Sequence, residues 1–218
     1  MEDTIKKDIL KTAEALYHQG DYQGALRVLE NHQVQVPKGL WHYNMGTTLA
    51  RLDKLPLSRY HFIMADNEGY TNKDLIKNKL IVEEKLDVPR HEKSLSISDY
   101  FIRGSFEATH GIFTTISLFL ILSGIFLSIR KSNLKAMKFP LALSLLILVF
   151  NFWVINWEKY LVMENQKIYD GPSSIFLTNQ ELPSGVMIVV DEKEGWLKIL
   201  YPSQYKGWIK NAGIRSLK

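Results

Sequence analysis

Six histidines, at positions 18, 32, 42, 61, 91 and 110, are the residues of this chain best suited to hold a metal or move a proton, and no cysteine assists them. A helical metal pair needs two ligands one turn apart, and His18 and His32 are too far apart on successive helical stretches to form one. His110 stands at the head of an apolar run and reads as an interfacial residue. The absence of cysteine excludes a disulfide framework, a thiolate nucleophile and any Cys-ligated zinc or iron–sulfur site. The sequence has no GxSxG elbow, no GxxxxGK phosphate loop, no GxGxxG turn and no HExxH helix. The expectation is a chain that is not an enzyme, with no catalytic residue, no cofactor and no metal, whose chemistry is recognition.

The elements that would carry such recognition flank two apolar stretches, 111–129 and 139–157. A helix rises about 1.5 Å per residue, so a hydrocarbon core of about 30 Å needs roughly 20 apolar residues, and each stretch meets that length. The first contains no charge, and its Thr and Ser hydroxyls can bond carbonyls of the preceding turn; the second has Pro140 in its first turn and Trp153 and Trp157 near its far end. Asn151 and Asn156 fall in that same half, and Gly124 with Ser128 has the spacing of a close helix contact. The expectation is a two-helix transmembrane hairpin, within residues 110–158, in contact with a lipid bilayer. Arg130, Lys131, Lys135 and Lys138 fill the connection without an acid, which by the positive-inside rule makes it cytoplasmic. Both flanks then lie on the periplasmic side of a bacterial inner membrane. The first residues lack the apolar run of a secretory signal, so either a signal has been removed or both flanks are cytoplasmic; the loop charges favour the former. The net charge of +4 and pI near 9.0 include those loop cations. No Arg-rich stripe interleaves with aromatics, so nucleic acid is not an expected partner.

Residues 1–88 carry a repeat with a period of 33: Gly20-Asp21-Tyr22 aligns with Asp53-Lys54-Leu55, Ala25 with Ser58, Leu29 with Phe62, Ala13 with Gly46 and Leu16 with Leu49. Small residues recur where two helices must approach, and large apolar ones where a helix fills its partner's groove. The pattern resembles the tetratricopeptide repeat, with Pro37 closing the first unit; Pro56 and Ser58 make the second irregular. A further helix over about residues 72–86 caps the stack, and Pro56 places the start of its own helix close by. The resemblance implies an α-helical solenoid with a concave face presenting Leu10, Glu14, Tyr17 and His18 from one unit and Leu40, Tyr43, Thr47 and Arg51 from the next. These residues either bind a protein partner or pack within the domain. They do not reproduce the Lys and Asn carboxylate clamp known in some members. Residues 89–109, with Tyr100, Phe101 and Phe106, read as a linker or an interfacial helix.

Over residues 160–218 the periodicity changes to short alternating strands punctuated by Gly171-Pro172, Pro183-Ser184-Gly185 and Glu194-Gly195. A small all-β barrel is the expected closure. The order GPS, LPSG, EGWLKI, GWI resembles the bacterial SH3-like barrel over about 55 residues. Trp196 and Trp208 would fill core or rim, while Tyr169, Tyr201, Tyr205 and Trp208 could line a shallow groove for a peptide or peptidoglycan, or cover a small core. Repeats, membrane hairpin and barrel in this order resemble the BatE family of Bacteroides aerotolerance operons. That resemblance implies a membrane-anchored scaffold or adaptor of the cell envelope, which binds protein partners through the repeats and a second partner through the barrel. Its partners would be other Bat membrane proteins and a MoxR-type ATPase complex. The alternatives are a peptidoglycan-binding or sensing module and a cytoplasmic-facing adaptor.

Overall fold

A computed structural model describes residues 2–92, 96, 99, 102, 110–131, 135–155 and 157–217. Tyr100, Phe101, Phe106 and Asn156, and with them most of the expected linker, lie outside the described residues. The chain forms two compact units, one of residues 1–93 with 158–218 and one of residues 94–157.

The first unit begins with five helices, each packed on the next: α1 (Glu2–His18), α2 (Tyr22–Asn31), α3 (Lys38–Arg51), α4 (Leu55–Asn67) and α5 (Lys73–Lys85). Local chemistry sets their bounds. Gly20 takes the left-handed conformation that turns the chain out of α1, and the Asp21 carboxylate then accepts the Gly24 N–H at 2.8 Å to cap α2. Pro56 sits in the first turn of α4, where its missing N–H leaves no bond unmade, and Asn72 caps α5 through Asp74 N–H at 2.9 Å. One core gathers Ile9, Leu26, Leu29, Trp41, Met45 and Leu49, and a second gathers Phe62, Ala65, Leu75 and Val82. A short helix, α6 (Val88–His91), follows α5.

Helices α3 and α4 meet at Gly46. A Cβ there would stand 2.7 Å from Cδ1 and Cε1 of the Phe62 ring, which is wholly buried, and the Gly46 carbonyl accepts the Ser58 hydroxyl at 2.7 Å. Alanine at this site gains about 1 kcal/mol of helix propensity but forces an ordered ring out of a packed core. We expect Gly46→Ala to destabilise by a net ~1–3 kcal/mol in urea unfolding, and a Gly46→Ala/Phe62→Leu pair to recover part of the loss. A single variant as stable as the parent would contradict this helix approach.

The remainder of the unit is a seven-stranded antiparallel sheet in the order β3-β2-β6-β5-β4-β1-β7. Its strands are β1 (Glu158–Val162), β2 (Gln166–Tyr169), β3 (Leu177–Leu182), β4 (Met187–Lys193), β5 (Trp196–Tyr201), β6 (Gly207–Lys210) and β7 (Ile214–Ser216). Along β5 the alternation is complete: Leu197, Ile199 and Tyr201 are buried while Lys198 and Leu200 are exposed. Glu194 and Gly195 both have positive φ in the two-residue turn that pairs Lys193 with Trp196, the geometry that matches the twist of a hairpin. Leu182 near one edge and Val162 near the other share one buried cluster, so the sheet curves over a single core. It does not close. β3 and β7 pair with each other nowhere among the described residues, and the expected barrel is corrected to an open sheet. The expected independent solenoid is corrected too, because its helices and the sheet belong to one unit.

In the second unit, α7 (His110–Lys131) packs along α8 (Lys135–Ile155). The hydroxyls of Ser117 and Ser144 lie 2.6 Å apart at the buried contact, where Gly124 and Pro140 are also buried. Ser123 bonds the Leu120 carbonyl of its own helix at 2.9 Å. Phe119, Leu122, Phe126, Leu145, Leu146, Val149 and Phe152 are exposed. Among the described residues no helix is long and apolar enough to cross a membrane. The two-pass hairpin, its orientation and its inner-membrane placement are corrected on that ground.

Candidate functional site

Residues 10, 14, 17 and 18 recur at helical spacing on α1, and 40, 43, 44 and 47 do so on α3. Both faces turn to the same cavity, of about 350 Å³, whose lining includes Leu10, Glu14, Tyr17, His18, Leu40, Tyr43 and Thr47. Seven of the eight residues expected on the concave face are therefore together, and Ala13 and Leu29 join them. The eighth, Arg51, lies one turn further along α3 and donates from Nε to the Tyr17 hydroxyl at 2.8 Å, with its guanidinium 5.8 Å from the Tyr17 ring.

The polar groups of this groove are largely spent on their own helix. The Thr47 hydroxyl donates to the Tyr43 carbonyl at 2.9 Å, that of Thr48 to the Asn44 carbonyl at 2.8 Å, and the Asn44 amide to the Leu40 carbonyl at 3.0 Å. What faces outward is apolar and aromatic, rimmed by Glu14 and His18, whose carboxylate and Nε2 stand 3.7 Å apart, and by Arg51. Tyr43 has a second role. Its ring packs on Tyr70 at 5.1 Å and on Phe62 at 6.4 Å, and burial raises its phenol above the ordinary tyrosine range.

The four aromatic residues expected to line a groove on the sheet do not stay together. Tyr201 is wholly buried. Tyr205 is nearly so, its hydroxyl 2.5 Å from Nδ1 of His91 in α6 and its pKa raised by burial. Tyr169 and Trp208 remain on the outer face, paired across β2 and β6, with Trp196 5.1 Å from Tyr169 and the Lys198 ammonium 5.9 Å from Trp208.

Two clusters went unread in the sequence. The first joins helices to sheet around Arg59 of α4, which is 4% exposed. Its guanidinium grips Glu92 at 2.7 and 3.2 Å, reaches Glu83 at 3.1 Å and donates to the Gly185 carbonyl, while Glu92 also accepts the Met187 N–H at 2.7 Å. Burial opposes the charge on Arg59, but Glu92 and Glu83 together outweigh it and hold the guanidinium more firmly protonated than usual. The second is a pair of histidines whose Nδ1 atoms are 3.0 Å apart, His42 on α3 and His61 on α4. Burial lowers both, His61 to about 3 with His42 and Arg215 adding to the effect. They line a cavity of about 350 Å³ with Glu30, Gln33, Trp41, Met45, Leu57, Tyr60 and Arg215. The available signal was the pair of dipeptides Trp41-His42 and Tyr60-His61, on helices that pack directly. Among the described residues no three His, Asp or Glu side chains are placed to hold a metal.

No family model, no curated protein and no solved structure matches this chain. The resemblances to the tetratricopeptide repeat, to the SH3-like barrel and to the BatE family are corrected accordingly. The Bat proteins and the MoxR-type ATPase rested on that resemblance alone. What the architecture defines is a class only: stacked helices and an open antiparallel sheet in one unit, with a separate helix pair.

Proposed function

We propose that the first unit is a protein-binding module whose groove between α1 and α3 takes a short peptide segment of a partner, anchored by one apolar or aromatic side chain. The observation that supports this is the convergence of Leu10, Tyr17, Leu40 and Tyr43 on one cavity whose threonine hydroxyls are already bonded within α3. Such a surface rewards shape and apolar contact over hydrogen-bond readout, the pattern of grooves that receive an anchor residue. Rim charges at Glu14 and Arg51 set orientation rather than affinity.

The test is selection of random displayed peptides on the full-length protein, followed by affinity measurement on a Thr47→Arg variant. Thr47 is half-buried on the groove wall, so a long side chain there occupies the space an anchor would take. Enriched peptides should share an apolar anchor and lose at least about tenfold in affinity for the variant, or roughly 1.4 kcal/mol. Equal affinity for both proteins, with thermal unfolding unchanged, would sink the assignment, and so would the absence of any enriched sequence. Tyr43→Ala is the wrong probe, because it also removes a ring packed on Phe62 and Tyr70.

A further inference from the structure

The cavity at the histidine pair is lined from both sides by chemistry that the protein itself does not use. His42 is 9% exposed and His61 4%, and each has its Nδ1 committed to the other. Among the described residues neither Nε2 has a hydrogen-bond partner, and neither is sealed from solvent. With one proton shared between the two Nδ1 atoms of a neutral pair, one ring carries an Nε2–H donor and the other a bare Nε2 acceptor. Arg215, on edge strand β7, lies with its guanidinium 4.9 Å from the Tyr60 ring and has no carboxylate within ion-pair distance among the described residues. Trp41 forms the inner wall, its indole fixed by a 2.7 Å bond to the Leu29 carbonyl.

We propose that this cavity binds a small organic monocarboxylate with an aromatic or aliphatic body, the carboxylate held by Arg215 and an Nε2–H of the histidine pair and the body lying against Trp41 and Tyr60. The volume of about 350 Å³ falls within the range of ligand sites, roughly 300–1,000 Å³, at its small end. Charge selects the monoanion. Arg215 supplies one positive charge, the histidines stay neutral because burial disfavours their cations, and Glu30 on the lining repels a second negative charge. A guanidinium stacked on a ring is restrained before the ligand arrives, so little side-chain entropy remains to be lost on binding. This site is separate from the α1–α3 groove and does not depend on its reading.

The experiment is calorimetric titration of the full-length protein with indole-3-acetate, hexanoate, the uncharged indole-3-ethanol and inorganic phosphate, with ring NMR signals of His42 and His61 followed in parallel. Saturable binding of at least one of the two carboxylates should shift those ring signals. It should weaken about tenfold or more in Arg215→Gln, and indole-3-ethanol should bind about tenfold more weakly than indole-3-acetate. Arg215 is exposed on an edge strand, so the variant should keep the parent's thermal midpoint, and Lys210→Gln controls for a general loss of charge. No saturable carboxylate binding, equal affinity in Arg215→Gln, equal affinity for the neutral analogue or stronger binding of phosphate would each overturn the proposal.

Discussion

Arg59→Met will lower the stability of the first unit by about 3–5 kcal/mol, the largest loss expected from any single substitution described here. The wild-type guanidinium serves four acceptors in three parts of the unit: Glu83 on α5, both oxygens of Glu92 just past α6, and the Gly185 carbonyl ahead of β4. Methionine replaces the aliphatic stem but not the guanidinium, and leaves Glu92 buried with its carboxylate answered, among the described residues, only by the Met187 N–H. A buried carboxylate without its cation is the costly state; the attraction lost is the smaller part of the penalty. Arg59→Lys keeps the charge but cannot fork to two oxygens while reaching Glu83 and Gly185, so it should fall between parent and methionine. Removing both charges in Arg59→Met/Glu92→Leu should recover much of the loss, because a packed apolar pair leaves no orphaned charge. Urea unfolding of the parent, Arg59→Met, Glu92→Leu and the double variant gives the coupling directly, with Arg59→Lys measured alongside. A double variant no better than Arg59→Met, or a methionine variant within about 0.5 kcal/mol of the parent, would show that the cluster does not bind helices to sheet in this way.

Arg59 also marks where sequence reading stops. Local pattern made the local features legible: the alternation of β5, the turn at Glu194-Gly195 and the start of α4 at Pro56. Each is decided within a turn or two of chain, where helix and strand repeats act. The Arg59–Glu92 contact spans 33 residues and the Arg59–Gly185 contact 126, and none of Arg59, Glu92 and Gly185 belongs to a repeated position that would pair them. Whether a sheet closes depends on its two edge strands meeting, which neither strand's own sequence decides; among the described residues β7 has three residues and pairs only with β1. A likeness in the order of elements, from repeats to hairpin to barrel, supplied the long-range arrangement that the residues did not, and it misplaced the sheet as a separate domain. The same limit hid His42 and His61, 19 residues apart, each unremarkable until α3 and α4 pack.

That pair carries the second large effect, in its dependence on pH. In the folded protein His61 titrates at about 3, chiefly because it is buried, against 6.5 for a free histidine, and His42 is lowered in the same direction. Well above pH 6.5 both states of the chain hold neutral histidines and the pair adds almost nothing to the slope. Below 6.5 the unfolded chain accepts protons that the folded one refuses, so stability is present above the unfolded value and lost as pH falls toward 3. The loss approaches ~1.4 kcal/mol per pH unit for one such histidine, which amounts to a few kcal/mol by pH 4.5. Arg215 and His42 reinforce the effect, because each would face a cation on His61, while the Glu68 carboxylate draws the other way on His42. His61→Asn isolates the contribution, since an amide can still meet His42 Nδ1 but cannot titrate. Urea unfolding of parent and variant at pH 7.5, 6.5, 5.5 and 4.5 should give stability differences that change by less than about 0.5 kcal/mol between the two upper values and shift in the variant's favour by more than about 1 kcal/mol per pH unit over the two lower ones. Carboxylates common to both proteins cancel in that difference. Parallel curves across the whole range would mean that His61 titrates normally, and the neutral hydrogen-bonded pair assigned to the α3–α4 contact would have to be given up.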